Sequence, residues 1–338
     1  MAIQRFIYAL ITFALMMATG LPNLTAQSGR PLFANQDRPQ TQVQLPDEPI
    51  ALQSDLVDIV FTATDANNRF ITDLTQDAIE VFEDGVLQPI EFFARNNEVP
   101  MVLALVIDFS GSQEFNWPKE REAAEKFFQE FFRWGTDYAA ILTFRGTVRL
   151  ARGLTSSEQR LTSGLRMLVR TDEGYASQGS SIYDAAYIAI REVLDGTTAQ
   201  RILQRYDRRV RRALILITDG HDTSSVMKLS DVIEQAQRAN VMIFPIGLSD
   251  SFRFADVNAT ILDQMAEASG GQAFYPKAAE QLRVAFKQIA DELSSQYIVA
   301  YYPTNTARDG AWRKIQISVK GRPNVTTSHR AGYYAPKR

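Results

Sequence analysis

Asp108-Phe109-Ser110-Gly111-Ser112 follows directly on Met101-Val102-Leu103-Ala104-Leu105-Val106-Ile107, which places a carboxylate and two hydroxyls at the end of an apolar run that reads as a buried strand. A second run, Ala213-Leu214-Ile215-Leu216-Ile217-Thr218, ends the same way at Asp219-Gly220. Ligands of open α/β sheets gather outside the carboxyl ends of the strands, so two strand ends can bring Asp108 and Asp219 to one cation. Serine hydroxyls are neutral oxygens, and a divalent ion held largely by them keeps much of its positive charge. Hard cations of the magnesium type favour such oxygen ligands and usually retain waters. One remaining position could take a carboxylate from another molecule, which describes a binding device rather than a catalyst. Taken alone, Asp108, Ser110 and Ser112 are better read as a strand-end turn in which Asp and Ser satisfy backbone donors.

The elements that must position these residues follow from periodicity. From residue 101 onward strand and helix alternate, the signature of a mostly parallel sheet covered on both faces. The pattern predicts strands near 101–107, 138–145, 147–151, 213–218, 241–247 and 272–275, and helices over 118–133, 157–170, 181–194, 229–239, 257–268 and 279–293. Ala123, Ala124, Phe127, Phe128, Phe131 and Phe132 recur at spacings of three and four behind Pro118, which marks a core-facing helix. Gly146 separates two strands so closely that they form a hairpin, leaving one antiparallel edge.

On either side the character is β. Leu56 to Thr64 alternates, Ile79 to Glu83 runs into the turn residues Asp84-Gly85, and Gln88 to Ala94 reads as the returning strand. After the last helix come Gln296 to Tyr302, Trp312 to Val319 and His329 to Tyr334. Three strands stand poorly alone, so the economical arrangement joins both sets in one small antiparallel β-sandwich with the doubly wound α/β domain inserted between its halves. The expected divisions are 50–98 and 294–338 for the sandwich and 99–293 for the α/β domain.

The chain of 338 residues is long enough for two domains, and its net charge of −3 gives no reason to expect a nucleic-acid partner. With no cysteine, disulfides, thiolate metal sites and cysteine nucleophiles are excluded. Arg5 precedes the apolar stretch Phe6 to Ala18, with small residues following, which is the layout of a secretory signal peptide over 1–26. That stretch is shorter than the roughly 20 residues of a membrane span; export to a bacterial periplasm or the exterior, with no span left after cleavage, is the expectation. Residues 27–49 are rich in Gln, Pro and Asp and read as a flexible lead-in.

With Asp108-x-Ser110-x-Ser112, the hydroxyl in Gly179-Ser180-Ser181-Ile182-Tyr183-Asp184-Ala185, and Ile217-Thr218-Asp219-Gly220 in that order, the chain resembles a von Willebrand factor type A (VWA) domain over roughly 99–293. The resemblance implies a Rossmann-like fold, a metal-ion-dependent adhesion site in which Asp108, Ser110, Ser112, Ser180 and Asp219 surround Mg²⁺ or Mn²⁺, and a protein ligand whose Asp or Glu carboxylate completes the shell. It also implies a final helix, 279–293, able to shift and so to move the strand that follows. Phe82-Glu83-Asp84-Gly85, Tyr301-Tyr302-Pro303-Thr304-Asn305 and Gly332-Tyr333-Tyr334-Ala335-Pro336 further resemble the exported VWA-related group frequent in Acidobacteria. Ser180 stands where the family usually carries threonine, and a serine rotamer lacks the restraint of a β-methyl.

Competing chemistries fit less well. A phosphoryl-transfer aspartate pair of the haloacid-dehalogenase type would need a second aspartate at position 110, and Ser110 lacks the Gly-x-Ser-x-Gly elbow of a serine hydrolase. His221, near Asp219, leaves open a metal-assisted envelope hydrolase, its plainer reading being an exposed loop histidine. A third alternative is a structural module whose site holds no metal. The arginines at 201, 205, 208, 209, 211 and 212 read as a solvated helix face and linker rather than an anion-binding patch. No catalytic residue is assigned.

Overall fold

The structure, a computed structural model, describes residues 56–95, 99–109, 117–168, 179–206, 210–248, 256–322 and 324–337. The segments read as signal peptide and lead-in lie outside these residues, as do Ser110 and Ser112. The chain begins with β1 (Val57–Thr64), β2 (Ile79–Glu83), β3 (Val86–Gln88) and β4 (Phe92–Arg95). The α/β part follows as β5 (Met101–Asp108), α1 (Trp117–Phe131), β6 (Tyr138–Arg145), β7 (Thr147–Thr155), α2 (Glu158–Met167), α3 (Ile182–Ile188) continued by a π-helical stretch (Ala189–Leu194), α4 (Thr197–Arg205), β8 (Arg211–Thr218), α5 (Leu229–Ala239), β9 (Val241–Gly247), α6 (Ala259–Ser269) and α7 (Ala279–Ser294). It closes with β10 (Tyr297–Tyr301), β11 (Trp312–Val319), β12 (Thr326–His329) and β13 (Gly332–Tyr334).

The five-stranded sheet has the order β7-β6-β5-β8-β9, parallel except for the β6–β7 hairpin at its edge. The middle stretches of its central strands β5 and β8 are apolar because both faces are covered, and the two-residue repeat of a strand sorts their side chains into two cores. Leu103, Leu105, Ile107, Ile215, Ile217, Phe244 and Ile246 pack with Phe127, Phe128 and Phe286 from α1 and α7. Val102, Ala104, Val106, Leu214, Leu216 and Ile243 pack on the opposite face with Ile182, Ala186, Ile190 and Val232. Each buried Val, Leu, Ile or Phe among them contributes on the order of 1.5–3 kcal/mol.

Two antiparallel sheets, β12-β1-β10-β4 and β13-β11-β2-β3, form the sandwich. They share one core of Ile59, Phe61, Val299 and Tyr301 from the first sheet with Ile79, Val81, Ile315 and Ile317 from the second. The first sheet is buried on both faces, since Val60, Ala94 and Ile298 point the other way into the α1/α7 core. Glu83 interrupts the apolar alternation of β2, and its Oε2 accepts from the hydroxyls of Tyr301 (2.8 Å) and Tyr333 (2.9 Å). Asp84 and Gly85 both have positive φ, as the predicted tight hairpin requires.

Several expectations change. The returning strand at 88–94 is two strands: β3 completes the hairpin, and beyond Pro89 the chain crosses to the other sheet, where β4 pairs with β10. His329 to Tyr334 likewise splits between the sheets. The strand at 272–275 shrinks to one parallel bridge from Phe274 to Ile246; Pro245 offers only its carbonyl to Phe274, and Pro276 ends the run without a donor. Of the arginine run, Arg201 and Arg205 are exposed on α4, but Arg211 and Arg212 belong to β8. Arg211 is 3% exposed. Its guanidinium donates to the carbonyls of Leu293 and Val99 and to Gln296 Oε1, which ties the end of α7 to the entry of β5. Burial lowers its pKa to about 9. Arg208 and Arg209 lie outside the described residues.

Candidate metal centre

β5 and β8 are hydrogen-bonded neighbours in parallel, with Ile107 opposite Ile217. Their carboxyl ends therefore emerge side by side, which is why residues 110 positions apart can meet. Asp108 is 1% exposed, and its Oδ2 accepts from Thr218 Oγ1 at 2.8 Å and from Ser180 Oγ at 3.1 Å. The structure thus brings Asp108 and Ser180 into contact and places Asp219 one residue beyond a hydroxyl that touches the same carboxylate. Asp219 is 6% exposed, and its Oδ1 accepts from the His221 amide at 2.9 Å. Its carbonyl accepts from Asn258 N at 2.8 Å, which fixes the chain path at the top of β8.

Thr218 is the site residue that the sequence reading missed. It closes the aliphatic run Ala213–Ile217 of β8, and a hydroxyl at that position, directly before Asp219, was the available signal. Gly220 has φ +81, and a Cβ there would lie 2.9 Å from the Asn258 carbonyl. Gly179 is required by proximity, since a Cβ would meet Thr223 Oγ1 at 2.2 Å. The loop after β8 is thus pressed against the residue preceding Ser180.

The exposed position of His221 matches its reading as a loop histidine. Tyr183, at the start of α3, has its hydroxyl pKa raised, by burial first and by the Asp222 carboxylate second. Among the described residues no group of three or more His, Cys, Asp or Glu side chains could hold a metal on its own. What this rim offers is hard oxygen from carboxylates and hydroxyls together, a donor set that fits a divalent cation of the magnesium type.

The family model for the von Willebrand factor type A domain matches residues 103–289, more than half of the chain. The chain belongs to this family. VWA domains commonly bind a divalent metal at the adhesion site and take protein ligands there. Among solved structures the chain is similar to proximal thread matrix protein 1 from the mussel byssus, with 16% identity and a TM-score of 0.48 over 62% of this chain and 50% of that one. A structure of the same mussel protein with a zinc-occupied adhesion-site motif gives 17% and 0.48 over the same shares. An aerotolerance-related membrane protein from Bacteroides fragilis is 16% identical, with a TM-score of 0.41 over 57% of this chain and 98% of that one. This VWA chain spans about half the length of the mussel protein. No curated protein matches it. Among the described residues no helix is long and apolar enough to cross a membrane.

Proposed function

We propose that this VWA protein is an exported, metal-dependent binding protein that engages an Asp or Glu side chain of a protein partner through Mg²⁺ or Mn²⁺. The observation that carries the reading is the meeting of Asp108, Ser180 and Thr218 at the carboxyl ends of two adjacent parallel strands. Ser180 would hold the ion directly, together with Ser110 and Ser112 from the segment outside the described residues. Asp108 and Asp219 would coordinate or orient waters; the hydroxyls already gathered on Asp108 Oδ2 supply that orientation. When bound, the ion supplies an incompletely neutralised positive charge for an anionic ligand atom. Export rests on the signal-like residues 1–26, and the division into sandwich and inserted domain on the strand pattern either side of 99–293.

Calorimetric titration with Mg²⁺ and Mn²⁺ tests the site: wild type binds, and Asp108→Ala does not. Equal binding by the two proteins, or none by wild type, defeats the reading. Capture from envelope extract in the presence of Mg²⁺, compared between the same two proteins, identifies the partner. The hydrolase alternative, with His221 as a base, requires activity that a chelator removes. The structural-module alternative requires protein purified without metal that fails to take any up.

A further inference from the structure

Two of the residues that would hold the metal stand on separate loops, Ser180 before α3 and Asp219 after β8, and a reciprocal set of contacts locks these loops together. Ser180 is held through its backbone on both sides of its Cα. Its amide donates to Thr223 Oγ1 at 2.8 Å, and its carbonyl accepts from the amides of Thr223 (2.8 Å) and Ser224 (3.1 Å).

One turn further along the same pairing continues with carboxylates. Asp222, three residues after Asp219, accepts the Ile182 amide on Oδ1 at 2.8 Å and the Tyr183 amide at 3.4 Å. Ser181, at the N-cap position of α3, makes no capping bond of its own. Asp222 therefore satisfies from a distant loop the helix donors that a local side chain normally takes. In return, Asp184 of α3 accepts the amides of Val226 (3.0 Å) and Met227 (2.8 Å) from that distant loop. Ser225 couples the halves: its hydroxyl donates to Asp222 Oδ1 at 2.5 Å and accepts from the Asp184 amide at 3.1 Å.

We infer that Asp222 is a positioning residue for the metal centre: through Ile182 and the Thr223–Ser180 contacts beside it, it fixes where the Ser180 hydroxyl and the Asp219 carboxylate stand relative to Asp108. The inference rests on the metal-binding reading above. Partners that orient metal ligands from behind commonly change affinity 10- to 100-fold when removed. Asp222 need not touch the ion to act this way. The contacts place it against the helix amides rather than on Asp108.

The test measures Mn²⁺ affinity of the full chain by calorimetry for wild type, Asp222→Ala, Asp222→Asn and Thr223→Val, together with amide exchange at Ile182 in chelator. Asp222→Ala weakens Mn²⁺ at least 10-fold and speeds exchange at Ile182. Asp222→Asn, whose Oδ1 still accepts that amide, recovers most of the affinity. A purely structural role would lower the thermal midpoint in both variants without this order of affinities. Thr223→Val, which removes the acceptor for Ser180 N, weakens binding as well and keeps the test decisive should Asp222→Ala not fold. Faster exchange at Ile182 with unchanged Mn²⁺ affinity overturns the inference while leaving the metal centre intact. Absence of binding to wild type removes both.

Discussion

Thr218 donates its hydroxyl to Asp108 Oδ2 at 2.8 Å, so two neighbouring parallel strands are tied at their ends through a single buried oxygen. The same Thr218 Oγ1 accepts from the Gly220 amide at 3.2 Å. Thr218→Val keeps the shape and removes both bonds, leaving a buried carboxylate short of a donor. In chelator the expected cost is about 1–3 kcal/mol in urea unfolding, accompanied by weaker Mg²⁺ binding. A variant as stable as wild type would show that the hydroxyl contributes nothing there.

Ser180 offers the hydroxyl without the β-methyl of threonine. Ser180→Thr restrains χ1 and is expected to raise Mg²⁺ affinity several-fold, about 1 kcal/mol by the usual conversion, read by calorimetry. Weaker binding would mean that the extra methyl has no room beside Asp108.

Glu292, on α7, is 4% exposed, and burial raises its pKa to about 7 from 4.5. The folded protein holds a proton that the unfolded chain releases between pH 4.5 and 7. Stability accordingly falls as pH rises through that window, by roughly 3 kcal/mol at most. Glu292→Gln should flatten this slope in unfolding measured from pH 4 to 8; an unchanged slope assigns it to another group.

His329 responds in the opposite sense. Burial first, then the nearby Arg330 charge, lowers its pKa below 6.5, while the 2.7 Å contact of Nδ1 with the Arg330 carbonyl partly offsets them. Its contribution is complete above pH 6.5 and is lost as pH falls through the lowered folded value. Replacing it in His329→Gln should remove that acid-side loss from the same pH series, and a series identical to wild type would rule His329 out.

The α/β layer was legible because its signals are local and long. The apolar runs Met101–Ile107 and Ala213–Ile217 mark the two adjacent central strands of a covered sheet, and the phenylalanine spacing of α1 fits a helical period. The site was legible to the extent that its residues end those runs: Asp108 and Asp219 announce themselves, whereas Thr218 hides inside the strand it terminates. What escaped depends on tertiary context. Nothing local distinguishes Arg211, buried against the Leu293 and Val99 carbonyls, from its exposed neighbour Arg205. The switch of chain from one sandwich sheet to the other at Pro89 and at Arg330 is likewise decided by strands far away in sequence. Arg330 illustrates why: it donates to the carbonyls of Gln237 in α5 and Asp58 in β1, contacts formed only once both bodies are packed.

The reach of Arg211 has an architectural meaning. One guanidinium touches both the carbonyl before β5 and the carbonyl at the end of α7, so the doorway through which the inserted body enters and leaves the sandwich is no wider than a single side chain. The Asp108 rim stands at the far end of β5, seven residue steps or about 23 Å away. The α/β body is thus tied to the sandwich at the opposite end of β5 from the place where Asp108, Ser180 and Thr218 meet.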